Sequence, residues 1–159
     1  MKALVVYDSV YGNTKAIAEA IGVALDPGYK VEVLHLNEAG SGWWQGLSVL
    51  VVGSPTQIAT LTKDMNKFLK QIPGRGLAGV KVAAFDTRLT IEEIEEHPVL
   101  PTFVKIFGYA AKPVARRLKR KGGEVVVAPE GFLVVGNEGP LVEGELERAA
   151  AWGRQIGES

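Results

Sequence analysis

The alternation of short, mostly apolar runs with longer amphipathic stretches constrains the fold of this chain more than any other feature. The apolar runs span residues 3–7, 47–52, 80–85, 125–127 and 132–135, interrupted only by Ser48 and Lys81. Such runs, rich in β-branched residues, are typical of strands buried on both faces of a sheet. Apolar residues recur at helical spacing in residues 13–25, 61–72 and 141–156, whereas residues 30–36 alternate like a half-exposed edge strand. This order predicts right-handed βαβ crossovers and therefore a parallel sheet with helices on both faces. The last two runs are predicted to form one fifth strand, bulged at residues 129–131.

Length and composition indicate an ordinary globular chain. With 159 residues, 47% apolar and 23% charged, we expect a single domain over residues 1–159. The absence of cysteine excludes disulfides and thiolate metal sites. Eighteen basic residues balance eighteen acidic ones, so we expect neither nucleic acid nor a membrane as a partner. The run Ala3–Tyr7 is too short for a signal peptide's apolar core, which favours a cytoplasmic protein.

The loop after the first strand carries the residues best suited to bind a ligand. In parallel α/β sheets, ligands bind beyond the carboxyl ends of the strands. Here Ser9, Asn13 and Thr14 supply polar side chains, Gly12 permits a tight turn, and a helix N-terminus follows. These groups could hold a phosphate through hydroxyls and backbone N–H groups. The alternative is that Ser9 or Asn13 only caps the helix.

The same segment resembles the flavodoxin signature. The positions that match are Val5-Val6-Tyr7-x-Ser9-x-x-Gly12-x-Thr14-x-x-x-Ala18-x-x-Ile21. Gly53-Ser54-Pro55-Thr56 after the third strand, and the order of elements over nearly the whole chain, are also similar to that family. The resemblance implies a three-layer α/β/α sandwich with five parallel strands in the order 2-1-3-4-5. It also implies that the protein binds flavin mononucleotide (FMN) and transfers electrons.

The resemblance further implies three cofactor-binding loops. The first would hold the FMN phosphate, and the second and third would surround the isoalloxazine ring. The first comprises Ser9, Val10, Tyr11, Gly12, Asn13 and Thr14; the second Ser54, Pro55, Thr56, Gln57 and Ile58; the third Asp86, Thr87, Arg88 and Leu89. Ordinary turn chemistry would also explain Pro55 and Thr56, and a capping role would explain Asp86.

Two departures from flavodoxins are evident. Flavodoxins are usually strongly acidic, and they usually sandwich the flavin between aromatic side chains of the second and third loops, where this chain has none. Trp43-Trp44 precede the third strand, so we expect them to pack at the opposite end of the sheet. Tyr11, Phe103, Phe107 or Tyr109 could cover the ring, although the spacing of the two phenylalanines also fits a helix core. Residues 87–123, 37 in all, are long enough to include a loop over the site.

Four other features of the sequence could suggest a function but are interpreted otherwise. Gly74–Gly79 matches G-x-G-x-x-G but follows a helix and precedes a strand, the reverse of a dinucleotide fingerprint. His35 and His97 are the only histidines, which disfavours a catalytic triad or a histidine-rich metal site. The basic residues at 116–121 are interpreted as a solvated helix end rather than a dock for an acidic partner or RNA. A phosphoryl-receiver domain is excluded because Gly53-Ser54 stand where its aspartate is needed.

The leading hypothesis is therefore an FMN-binding electron carrier that serves redox partner proteins. We assign no catalytic residue and no metal site. The alternative is an FMN-dependent NAD(P)H:quinone-type oxidoreductase, suggested by the missing aromatic cover over the flavin. A third possibility, an interaction module that has lost its flavin, is opposed by the intact loop of residues 9–14.

Overall fold

A parallel sheet forms the centre of the computed structural model, which describes residues 1–56, 61–96, 98–99, 101, 109–136 and 138–159. In these residues the strands are β1 (Lys2–Tyr7), β2 (Lys30–His35), β3 (Val49–Pro55), β4 (Lys81–Leu89), β5 (Glu124–Val125) and β6 (Glu130–Val134). The α-helices are α1 (Asn13–Leu25), α2 (Lys63–Lys70), α3 (Ile91–Glu96), α4 (Ala111–Arg120) and α5 (Glu145–Glu158), and a short 3-10 turn spans Leu36–Glu38.

The order of the strands confirms the predicted topology. The sheet runs β2-β1-β3-β4, and both β5 and β6 pair with the outer edge of β4. All of these pairings are parallel, with Val5 opposite Val33 on one side and Val51 on the other. The strands β5 and β6 are the two parts of the predicted fifth strand. They are separated by a segment that includes Pro129, which has no N–H to donate to a ladder.

Two apolar layers explain why the central strands are apolar on both faces. One layer joins Val5 and Val51 to Ile17 of α1 and Trp152 of α5. The other layer joins alternate residues of the same strands to α2 and α4, through side chains such as Leu118. Because each face of the sheet is covered by helices, alternation with polar residues would place polar groups in the core.

Several boundaries differ from the sequence predictions. The third and fourth strands continue to Pro55 and Leu89, so Asp86–Leu89 belong to a strand rather than to a loop. The helix α2 begins only after Thr62, whose Oγ1 accepts a hydrogen bond from the Met65 N–H at 3.1 Å. The last helix begins at Glu145 instead of Leu141, after Gly144 at a φ of +89°.

Much of the segment 87–123 is regular structure, and the residues between its two helices, where a loop over the site was expected, lie largely outside the described residues. It contains the end of β4, the helix α3 and the helix α4. Pairing of β4 with β6 extends the strand past the predicted end, because Thr87 and Leu89 find partners in Phe132 and Val134. Phe103 and Phe107 lie outside the described residues.

The tryptophan pair packs against the core, as predicted. Trp43 stacks on Phe68 of α2 with ring centroids 4.2 Å apart. Its indole N–H donates to Oε1 of Gln71 at 3.0 Å. Both contacts lie near the start of β3 and the end of α2, at the sheet edge opposite the carboxyl ends of the strands.

Candidate functional site

The ends of β1, β3 and β4 meet at one edge of the sheet, and hydrogen bonds connect the segments there. The hydroxyls of Thr14 and Thr87 are 2.8 Å apart, which ties the start of α1 to β4. The N–H of Thr56 donates to the carbonyl of Thr87 at 2.9 Å, and the N–H of Asp8 donates to that of Gly53 at 3.0 Å. Residues from all three predicted loops are thus brought together.

The first loop presents donors and no carboxylate at the start of α1. Gly12 precedes the helix at a φ of +90°, and its N–H donates to Ser9 Oγ at 3.0 Å. The first helical bond runs from the Ala16 N–H to the Gly12 carbonyl, so the N–H groups of residues 13–15 lie outside the helical pattern. The first turn contains no acidic residue. This donor set suits a phosphate, because N–H groups and the helix dipole favour an anion.

Asn13 and Thr14 hold this loop in place. The Asn13 side-chain amide donates to the Glu138 carbonyl at 3.0 Å, which connects the loop to the segment before α5. Thr14 is buried, and its hydroxyl is bonded to Thr87. Val10 and Tyr11, by contrast, are 61% and 57% exposed. The loop therefore has an anchored inner side and an open outer side.

The second loop is described only in part. Ser54 is fully buried, and its hydroxyl donates to the Pro55 carbonyl at 3.1 Å. The Thr56 hydroxyl accepts a hydrogen bond from the Ala110 N–H at 3.3 Å, just before α4. Gln57 and Ile58, also predicted to bind the cofactor, lie outside the described residues.

In the third segment, Asp86 is engaged by the protein itself. The side chain is fully buried, and the Arg88 guanidinium donates to both carboxylate oxygens at 2.6 Å. The Ala111 N–H at the start of α4 donates to the same carboxylate at 2.9 Å. Burial raises the pKa of the Asp86 carboxyl, while the bonds from Arg88 and Ala111 act in the opposite direction. Asp86 thus connects β4 to the start of α4 through buried hydrogen bonds. Leu89, at the end of β4, is half-buried.

An aromatic ring lies against this ion pair. The Arg88 guanidinium carbon is 3.6 Å from the centroid of the Tyr109 ring. Because Tyr109 precedes Ala110, which bonds Thr56, the ring lies beside the second and third segments. Among the four aromatic candidates named from the sequence, the structure places Tyr109 and Tyr11 near the site.

A second buried network at this edge was not predicted from the sequence. The Thr62 hydroxyl donates to Asp8 Oδ2 at 2.5 Å. Since Nδ1 of His35 accepts from the Asn37 N–H, a neutral ring carries its proton on Nε2, which is 3.4 Å from Asp8 Oδ1. The position of Asp8 directly after a buried strand was the available signal. Nothing in the sequence indicated its partners.

Together, the sheet order and this edge define a class of protein: an open parallel α/β fold whose loop between β1 and α1 presents donors suited to an anion. Such folds bind ligands where the strand order changes direction, here beside β1. The donor set of residues 9–15 fits the phosphate of a nucleotide or of a flavin.

Comparison with known proteins narrows this class. A sequence profile of the flavodoxin domain matches residues 4–129. A flavodoxin of Clostridium saccharobutylicum is 25% identical over 158 residues, which cover 98% of this chain and 95% of that protein. A flavodoxin of Aquifex aeolicus (strain VF5) is 36% identical over 78 residues, which cover 46% of this chain and 40% of that protein.

The solved structure of a flavodoxin from the domain Archaea aligns over 99% of this chain and 97% of its own, with a TM-score of 0.74 and 24% identity. The chain belongs to the flavodoxin family. The predicted fold, the FMN cofactor and the function of an FMN-binding electron-transfer protein are confirmed.

Proposed function

We propose that residues 1–159 form one domain that holds FMN by its phosphate on the loop of residues 9–14. The observation that carries this proposal is the start of α1, where the N–H groups of residues 13–15 lie outside the helical pattern, the Ser9 hydroxyl lies beside Gly12 and the first turn has no acidic residue. The phosphate dianion would receive hydrogen bonds there and would lie at the positive end of the helix dipole.

The isoalloxazine ring would lie over the segments that follow β3 and β4. Pro55, Thr56 and the end of β4 provide backbone groups for its polar rim, and Tyr109 provides an aromatic surface beside it. The Asp86–Arg88 pair and the Thr14–Thr87 bond hold these segments in position. When bound, FMN supplies the redox chemistry, and the protein supplies binding and orientation.

We further propose that this protein is a carrier located in the cytoplasm and that separate redox proteins load and unload it. The sequence shows no nicotinamide-binding motif, and its G-x-G-x-x-G match lies between a helix and a strand. No described contact favours the alternative of a quinone reductase. A Tyr109 side chain beside the flavin ring would fill part of the open space that suggested a quinone reductase.

Titration of the apo protein with FMN tests the placement of the site. Gly12→Val forces a β-branched residue to a φ of +90° and displaces the loop, so FMN affinity should fall sharply. Ser9→Ala removes one donor to a charged group, which should raise the Kd for FMN about tenfold. Fluorescence quenching of FMN measures both.

Gly46→Val is the matched control for this titration. Gly46 also has a positive φ, +72°, and open space around it, but it lies before β3 at the other end of the sheet. It should suffer the same backbone strain and keep its affinity for FMN. Unchanged affinity in both Gly12→Val and Ser9→Ala would refute the proposed site.

A further inference from the structure

The net charge is zero, but basic and acidic residues are distributed unevenly along the chain. Residues 61–80 and 109–123, which contain α2, α4 and the turns after them, hold ten lysines and arginines and a single acid, Asp64. The other residues hold eight basic and seventeen acidic side chains. The expectation of no electrostatic attraction was based on the sum of these charges, not on where they lie.

The cations form parallel stripes on two neighbouring helices. Lys63, Lys67 and Lys70 lie at i, i+4 and i+7 on α2, and Lys112, Arg116 and Lys119 repeat that spacing on α4. Such spacing puts each set on one side of its helix, over about 10 Å. All six side chains are exposed, as are Arg75 and Arg120. We call these eight residues the basic face.

Contacts below the surface hold the two stripes together. Arg117 on α4 donates from Nη1 to Asn66 Oδ1 of α2 at 2.6 Å, and from Nη2 to the Asn66 carbonyl at 3.2 Å. Both helices pack their apolar sides into the same core layer, so they cover the same side of the sheet. The two stripes therefore lie on neighbouring helices that are connected to each other.

The charge of the basic face is not neutralised within the chain. Among the described residues, none of its eight cations forms an ion pair with a carboxylate. The basic face also includes no exposed large apolar or aromatic side chain from the described part of the chain. Base stacking by a single-stranded nucleic acid needs aromatic side chains, and hot spots of stable protein interfaces are enriched in tryptophan, tyrosine and arginine, of which the basic face offers only arginine.

We infer that the basic face adsorbs electrostatically to anionic lipid headgroups at a bilayer surface. A plane of headgroups requires no apolar anchor, and each lysine or arginine near such a surface adds attraction. Adsorption would be peripheral, since no described helix combines the length and apolarity needed to cross a bilayer. The carboxyl edge of the sheet would stay open to redox partners, and the acidic α3 would be repelled from the membrane. This inference does not depend on FMN.

Sedimentation with lipid vesicles tests this inference on the whole chain. Vesicles of phosphatidylcholine with about 30% phosphatidylglycerol should bind the protein at about 50 mM salt and release it at about 500 mM. Vesicles of phosphatidylcholine alone should not bind it. The double variant Lys67→Glu/Arg116→Glu should lower the partition coefficient at least about tenfold.

The double variant Lys30→Glu/Arg154→Glu changes the net charge equally at exposed positions outside the basic face. It should bind within about threefold of the parent protein. Equal losses in both variants, binding to neutral vesicles, or no binding to anionic ones would overturn the inference. Tighter binding to a single-stranded oligonucleotide than to anionic vesicles at the same salt concentration would also overturn the inference. Both variants should keep the FMN affinity of the parent protein, because all four substituted residues lie outside the proposed FMN-binding loops.

Discussion

Gly53 shows how one residue controls the packing of the strand that leads to the site. It lies in β3 directly opposite Phe85 of β4, and a Cβ built on it would fall against the Phe85 ring. That ring is fully buried and packs edge-to-face with Phe132 and Trp152 at centroid distances of 5.9 and 6.1 Å. The ring therefore has little room to move aside, and only glycine fits at position 53.

Gly53→Ala should consequently destabilise the protein. Overpacking of a dense core costs about 1–3 kcal/mol, and denaturant unfolding should show a loss in that range. Gly40→Ala is the matched control, because Gly40 is exposed and a Cβ there meets nothing within 4 Å. If both substitutions leave the unfolding free energy unchanged, the Phe85 ring is not held as tightly as its contacts indicate.

The buried polar residues at the site illustrate a second residue-scale point. Thr14 and Thr87 are hydrogen-bonded to each other, Asp86 accepts hydrogen bonds from Arg88 and from the Ala111 N–H, and all three of these site residues are buried. Side chains predicted to touch a ligand can therefore act by holding the segments that do. Their contact with FMN stays a prediction.

At the scale of elements, the start of α5 is tied to β6 by a charged cluster. The Glu145 carboxylate accepts hydrogen bonds from the Leu133 N–H at 2.7 Å and from Arg148, whose guanidinium also reaches Glu130 at 3.1 Å. The same guanidinium lies 4.5 Å from the Phe132 ring centroid. These contacts attach the last helix to the edge of the sheet.

This cluster should make stability depend on pH. The hydrogen bonds from Arg148, followed by that from Leu133, lower the pKa of Glu145 below its ordinary value of 4.5, against the effect of burial. A carboxyl whose pKa is lower in the folded state stabilises the fold above its unfolded pKa, and that stabilisation is lost as the pH falls through the folded value.

Glu145→Gln should therefore reduce the unfolding free energy at pH 7 by about 1.5–3 kcal/mol. The difference from the parent protein should shrink as the pH falls below the ordinary value of 4.5. Glu147→Gln, exposed in the same helical turn, should have little effect at either pH. Urea unfolding at a series of pH values measures both. A difference that does not vary with pH would contradict the assigned role of the carboxylate.

At the scale of the whole molecule, the zero net charge bears on the redox potential. An anionic reduced flavin is repelled less by a neutral protein than by a strongly acidic one. The lowest redox couple should therefore lie above that of acidic flavodoxins titrated under the same conditions. A couple as low as theirs would contradict this inference.

Redox titration of variants can also compare acidic residues near the proposed site with acidic residues farther from it. Glu92 and Glu95 of α3 are exposed at the site edge of the sheet, whereas Glu19 and Glu158 lie farther along α1 and α5. Glu92→Gln/Glu95→Gln should raise the lowest couple more than Glu19→Gln/Glu158→Gln does, because screening limits distant exposed charges.

The parallel sheet and its helical layers could be predicted from local sequence patterns, whereas the strand order was implied by the resemblance to flavodoxins. A central strand that is buried on both faces requires a mostly apolar run of residues. A helix that packs against the sheet requires apolar residues at helical spacing. Both patterns are local properties of the chain. The loop of residues 9–14 is equally local, since its glycine, hydroxyls and helix start are adjacent in sequence.

Only the tertiary structure decided which groups meet. Strand β4 continues to Leu89 because β6, some forty residues later, pairs with it. Asp86 is satisfied by the start of α4, Asp8 by Thr62 and His35, and the basic face exists because two separate helices pack side by side. Such contacts depend on how the crossovers bring distant segments together, and no local pattern records that.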